Sequence, residues 1–134
     1  MPEPANKKVL IIDDSATTRA VVKVYLAGNG LEFLEATNGQ DGLELARSAR
    51  PDAIIIDLKM PGMDGLTFCR RVRAESAIRH VPIILITGSR GLDLRNEAIR
   101  SGASVFMNKP IDVPVLAKLI LSYVNSPNPS TPNP

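Results

Sequence analysis

Hydrophobic residues in this chain come in short blocks, and the blocks end in polar groups. Val9-Leu10-Ile11-Ile12 runs into Asp13-Asp14, Ala53-Ile54-Ile55-Ile56 into Asp57, Ile83-Ile84-Leu85-Ile86 into Thr87, and Val105-Phe106-Met107-Asn108 into Lys109-Pro110. The blocks are rich in β-branched residues and alternate with helix-like stretches, which predicts a parallel sheet with crossover helices. Parallel strands deliver their C-terminal ends to one edge, where open α/β sheets bind ligands. Three carboxylates, a hydroxyl and an ammonium, scattered along the sequence, are therefore expected in one crevice.

The segments between the blocks complete the pattern. After the first strand, Ser15 or Asp14 caps a helix running to about residue 27, with Thr18, Val21, Val22, Tyr25 and Leu26 on one face. Gly28-Asn29-Gly30 ends it. Residues 31–36 form a second strand of imperfect alternation, with Leu31, Phe33 and Leu34 candidates for the inside. Further helices are predicted over about 40–49, 66–74, 92–100 and 113–124; Gly102 closes the fourth, and Asp112 caps the fifth, with Pro114 in its first turn. In the last helix Leu116, Leu119, Ile120, Tyr123 and Val124 make the core face, while Val115 and Leu121 lie off it. Five strands alternating with five helices predict a doubly wound, flavodoxin-like α/β sandwich.

Composition narrows the class. At 134 residues the chain holds one domain, and a net charge of +2 gives no reason to expect a nucleic-acid or membrane partner. Cys69 stands alone, so disulfide frameworks and CxxC motifs are excluded, and it is expected to be packing material. No apolar stretch suits a signal peptide or membrane span, so a cytoplasmic location is expected. Residues 1–6 are read as a flexible N-terminus, 7–125 as the folded domain, and 126–134 (SPNPSTPNP) as a Pro-rich tail or truncated linker. Arg70, Arg71, Arg73, Arg79 and His80 are read as a solvated basic face; His80 lacks a second ligand nearby, so no metal role is assigned.

Asp13, Asp14 and Asp57 are hard oxygen ligands of the kind that suits Mg²⁺. Held together they repel one another unless a cation sits among them. A carboxylate beside such a cation can attack a phosphoryl group, with Lys109 as a point charge and Thr87 as a hydroxyl donor. Each residue alone has a bland explanation, since Asp, Asn and Thr commonly end strands as turn formers or caps. The bland explanation does not account for all five meeting at one edge.

The motifs VLIIDDS, IIIDLKMPGMDG, IILITG and VFMNKP, in this order and spacing, resemble the receiver domain of bacterial two-component response regulators, of the single-domain chemotaxis type. The resemblance covers about residues 7–124. It implies the strand order 2-1-3-4-5. It implies Asp57 as phosphoacceptor, taking phosphate from a histidine kinase or histidine phosphotransfer protein. Mg²⁺ would be held by Asp13, Asp14, Asp57 and the backbone carbonyl of Lys59. Thr87 would be the switch hydroxyl, Phe106 its coupled aromatic in place of the common tyrosine, and Lys109 the partner of the phosphate, before a cis Lys109–Pro110 bond. Such a protein is a signalling phosphoacceptor rather than an enzyme, at most promoting its own phosphorylation and dephosphorylation. Its readout would be the surface of the fourth helix, fifth strand and fifth helix, used by a downstream protein, an attached output domain or a homodimer.

Lys59 and Ser89 occupy positions expected to tune phosphate lifetime, and Gly88 should loosen the loop after Thr87. Three rivals fit less well. A Mg²⁺-dependent aspartyl-phosphate phosphatase wants an acid/base carboxylate two residues past its nucleophile, where this chain has Lys59. A flavodoxin-like electron carrier wants a phosphate loop where Asp13-Asp14 stands. A degenerate docking module would have lost one of the key residues.

Overall fold

The computed structural model describes residues 6–125; the expected N-terminal segment and Pro-rich tail lie outside them, apart from Asn6. The elements are β1 (Lys7–Ile12), α1 (Ala16–Leu26), β2 (Leu31–Ala36), α2 (Gly39–Ala49), β3 (Ala53–Asp57), α3 (Gly65–Arg73), β4 (Ile83–Thr87), α4 (Leu92–Ser101), β5 (Val105–Asn108) and α5 (Val113–Val124). All strand pairs are parallel, in the order β2-β1-β3-β4-β5. The expected flavodoxin-like α/β sandwich is the observed one.

The period-2 geometry of the strands splits the core into two layers. Leu10, Ile12, Ile54, Ile56, Ile83 and Leu85 face one way, against Leu43 and Ala46 of α2, Phe68, Cys69 and Val72 of α3, and Ala98 of α4. Val9, Ile11, Ile55, Ile84 and Ile86 face the other way, against Val22 and Leu26 of α1 and Leu116, Ile120 and Val124 of α5. Both faces are covered, so β1, β3 and β4 read as continuous apolar runs. The edge strand β2 sends Leu34 to the first layer and Leu31 and Phe33 to the second, which explains its imperfect alternation.

Side-chain caps fix where four helices start. Ser15, and not Asp14, caps α1 by accepting from the Thr18 N–H; Asn38 caps α2, Asp64 caps α3 and Asp112 caps α5. Helix α4 has no side-chain cap and follows Gly91 at φ +137°. None of the helices among the described residues is long and apolar enough to cross a membrane.

Two expectations change. On α1 only Val22 and Leu26 of the expected apolar face are buried; Val21 is 41% and Tyr25 53% exposed. The helix flanks α5 and β2, so the sheet and its neighbour cover only a narrow stripe of it. The basic stretch is not uniformly solvated either. Arg73 is half-buried, its guanidinium donating to the carbonyls of Gly102 (2.9 Å), Arg79 (2.8 Å) and Val81 (2.6 Å). Arg70 donates to Ser101 Oγ at 3.0 Å. Together they fasten the end of α3 to the end of α4. Arg70, Arg71, Arg79 and His80 are exposed as expected. On α5, Leu116, Ile120 and Val124 are fully inside, Leu119, Leu121 and Tyr123 are half-buried, and Val115 is exposed.

Candidate functional site

The parallel strands bring the expected polar groups to one edge. Asp13 and Asp14 follow β1, Asp57 ends β3, Thr87 ends β4 and Lys109 follows β5. One carboxylate oxygen from each of Asp13, Asp14 and Asp57 lies within 4.8 Å of the others. Lys109 Nζ reaches Asp57 Oδ2 at 3.0 Å and Asp13 Oδ2 at 3.9 Å. Asp13, Asp57 and Thr87 are buried, whereas Asp14 is exposed.

Local structure holds each group in place. The Ser15 N–H donates to Asp13 Oδ1 at 2.8 Å, and the Arg19 guanidinium donates to the Asp13 carbonyl. The Lys59 N–H points to Asp57 Oδ1 at 3.4 Å; the Lys59 side chain is exposed. Behind Asp57, a Cβ on Gly65 would lie 2.5 Å from Leu85 Cδ1 and 3.0 Å from the Asp57 carbonyl oxygen, so only glycine lets α3 start this close. Thr87 Oγ1 accepts from the Ser89 N–H at 3.1 Å, and its carbonyl accepts from the Lys109 N–H at 2.8 Å.

The charges are unbalanced. Three carboxylates face one ammonium at close range. Burial is the main force pushing the Asp13 carboxyl above its usual range; the Ser15 N–H opposes it and the Asp57 charge adds to it. For Lys109, burial alone would favour the neutral amine, but the bond to Asp57 and the surrounding carboxylates hold its ammonium above the usual lysine value. A hard divalent cation fits this donor set, because it would neutralise carboxylates that one lysine leaves in excess.

Phe106 does not join the carboxylates. It is buried in the layer formed with α2, α3 and α4, level with Leu85 of β4. The Lys109–Pro110 bond is cis, as the resemblance implied. Cys69 is fully buried, and desolvation pushes its thiol up to about 12, so it is packing material. Two supporting residues carried little sequence signal. Gly65 looked like one more turn glycine, and Asn108 like the end of an apolar block. In the structure the Asn108 amide donates to the carbonyls of Ser89 (2.7 Å) and Thr87 (3.3 Å).

Comparison with known proteins agrees with this geometry. Residues 9–121 match the family model described as "Response regulator receiver domain". The chain is 39% identical over 109 residues to the sensor histidine kinase CheAY of Helicobacter pylori, a match covering 80% of this chain and 14% of that protein. It is 33% identical over 114 residues to the chemotaxis protein CheY of Pseudomonas aeruginosa, covering 84% of this chain and 92% of that one. The structure of the chemotaxis response regulator CheY4 of Vibrio cholerae superposes with a TM-score of 0.80 at 33% identity, covering 88% of this chain and 98% of that one. Sheet order, edge chemistry and sequence thus lead to one family, and the chain belongs to the response regulator receiver domains, the phosphorylatable units of two-component signalling.

Proposed function

We propose that Asp57 is the phosphoacceptor of this domain and that its phosphorylation switches a partner-binding surface. What supports the reading is the meeting of Asp13, Asp14 and Asp57 within 4.8 Å, with Lys109 at 3.0 Å from Asp57. A carboxylate oxygen of Asp57 attacks the phosphorus of a phosphohistidine. The O–P bond forms, the P–N bond breaks, and the imidazole nitrogen keeps the electron pair and takes a proton from solvent. Asp13, Asp14, Asp57 and the Lys59 carbonyl would hold Mg²⁺, which supplies charge neutralisation for the phosphoryl oxygens. Lys109 passes from the Asp57 carboxylate to a phosphoryl oxygen, and the Thr87 hydroxyl turns to donate to another.

The second half of the reading is the switch. When Thr87 moves, the loop to α4 follows, and Phe106 beneath it repacks; without a phenol, packing alone couples the two. The altered surface is α4, β5 and α5, offered to a downstream protein, an attached output domain or a second copy. The phosphodonor, a histidine kinase or phosphotransfer domain, seats on the exposed apolar side of α1 at Val21, Val24 and Tyr25. That side continues past Thr17 and Pro110 to Lys109, and so leads to the phosphoacceptor. The domain would act in the cytoplasm, as a phosphoacceptor rather than an enzyme with a released product.

Incubation with acetyl phosphate and Mg²⁺, followed by intact mass measurement, tests the chemistry. One phosphate is expected on the wild-type protein and none on Asp57→Ala or with EDTA. Absence of any adduct, with beryllofluoride also failing to bind, would leave a docking module as the better account.

A further inference from the structure

The loop from Thr87 to α4 is held by side chains that the phosphoacceptor chemistry does not use. It has Gly88 at one end and Gly91, at φ +137°, at the other, and a Cβ at either would meet nothing within 4 Å. Helix α4 then starts without a side-chain cap. Left to itself this segment would sample many conformations. Asn108 lies opposite Thr87 in the β4–β5 register. Its amide nitrogen donates to the Ser89 carbonyl at 2.7 Å and to the Thr87 carbonyl at 3.3 Å. Both partners are acceptors, which fixes the amide with its NH₂ towards the loop. Arg90 adds a weaker tie, donating to the Lys109 carbonyl at 3.3 Å from an exposed position.

We propose that Asn108 is a positioning residue that latches the resting conformation of the switch loop and so sets how readily the phosphorylated conformation is reached. This rests on the reading of Thr87 as the switch. In the latched loop the Ser89 N–H is bonded to Thr87 Oγ1 at 3.1 Å, so the hydroxyl is engaged by its own turn. To turn towards a phosphoryl group, Thr87 must leave that turn, and Ser89 moves with it. The 2.7 Å bond from Asn108 opposes that movement. A side chain favouring one of two states lowers the apparent affinity of any ligand that needs the other.

Beryllofluoride with Mg²⁺ is the probe, titrated by calorimetry into the wild type, Asn108→Leu and Asn108→Ser. Leucine keeps the size and removes both donors; serine is too short to reach Ser89. Loss of the latch should tighten beryllofluoride binding about fivefold, the equivalent of one net hydrogen bond. Amide exchange over residues 88–91 should quicken while β1 and β3 keep wild-type protection. A side chain that merely supported the fold would lower stability without raising affinity. Unchanged or weaker binding in whichever variant folds, with unchanged exchange over 88–91, overturns the latch. Failure of the wild type to take acetyl phosphate at Asp57 would instead overturn the underlying reading, so the two failures are distinguishable.

Discussion

Helices α3 and α4 both start at the edge that carries the carboxylates, yet α3 begins with Asp64 accepting from the Thr67 N–H at 2.8 Å and α4 begins at Gly91 with no side-chain cap. Gly65 of α3 is pressed against Asp57 and Leu58, whereas Gly88 and Gly91 before α4 stand in open space. At their far ends the two helices are tied together by Arg70 to Ser101 and Arg73 to Gly102. The end of α4 is therefore anchored to its neighbour, whereas the loop before its start is tied by the bonds from Asn108 and Arg90. On the proposed reading, one side of the edge is a fixed frame for the Asp57 nucleophile and the other is the part that moves.

The largest break in that comparison should come from Gly65→Ala. The new Cβ has no room against Leu85 and the Asp57 carbonyl, and overpacking of this kind costs about 2 kcal/mol. Urea denaturation should show that loss, and labelling of Asp57 by acetyl phosphate should slow, because the nucleophile's own backbone is displaced. Gly91→Ala should cost only about 1 kcal/mol, from its positive φ, and should leave labelling close to wild type. Equal damage from both would erase the contrast between frame and loop. Asp64→Ala, which removes the cap of α3, is expected to cost about 1 kcal/mol.

Asp13→Asn should act in the opposite direction. The folded state raises the Asp13 carboxyl above its usual range, so ionising it works against folding. That cost is absent below the ordinary carboxylate pKa, grows as pH rises through the interval up to the raised value, and is complete above it. Without metal, the Asn variant should therefore be more stable than wild type by roughly 1 kcal/mol at pH 7, the usual scale for relieving strain at a functional site. The gap should vanish near pH 3. Mg²⁺ should raise the wild-type Tm and leave the variant nearly unchanged, closing the gap from the other side. The smallest effect concerns Cys69, buried on α3 with its thiol pushed up to about 12. It should resist Ellman's reagent at pH 8 until the protein unfolds, and faster reaction in Gly65→Ala would report loosening of α3.

The architecture was legible in the sequence because it is written locally. Apolar blocks, Gly and Pro breaks and the caps of α1 and α5 are patterns of a few neighbouring residues, and parallel topology then dictates where Asp13, Asp57, Thr87 and Lys109 must meet. What was not legible depends on partners far along the chain. Asn108 acts on carbonyls 19 and 21 residues away, and Arg73 reaches Gly102 across 29. No local pattern marks either. On α1 the apolar positions outnumber what any one stripe can bury, and only the flanking position of the helix decides that Val22 and Leu26 go in while Val21 and Tyr25 stay out. Gly65 needed the α3 start and the β3 end in the same view.

The central claim, a fixed nucleophile beside a movable switch, is tested most directly by amide hydrogen exchange with and without Mg²⁺ and beryllofluoride. Protection should change over residues 87–95, covering the switch loop and the first turn of α4, while residues 57–68 from Asp57 into α3 keep their protection apart from the amides touching the ligand. Bound beryllofluoride with equal changes in both segments, or with none at 87–95, would contradict it.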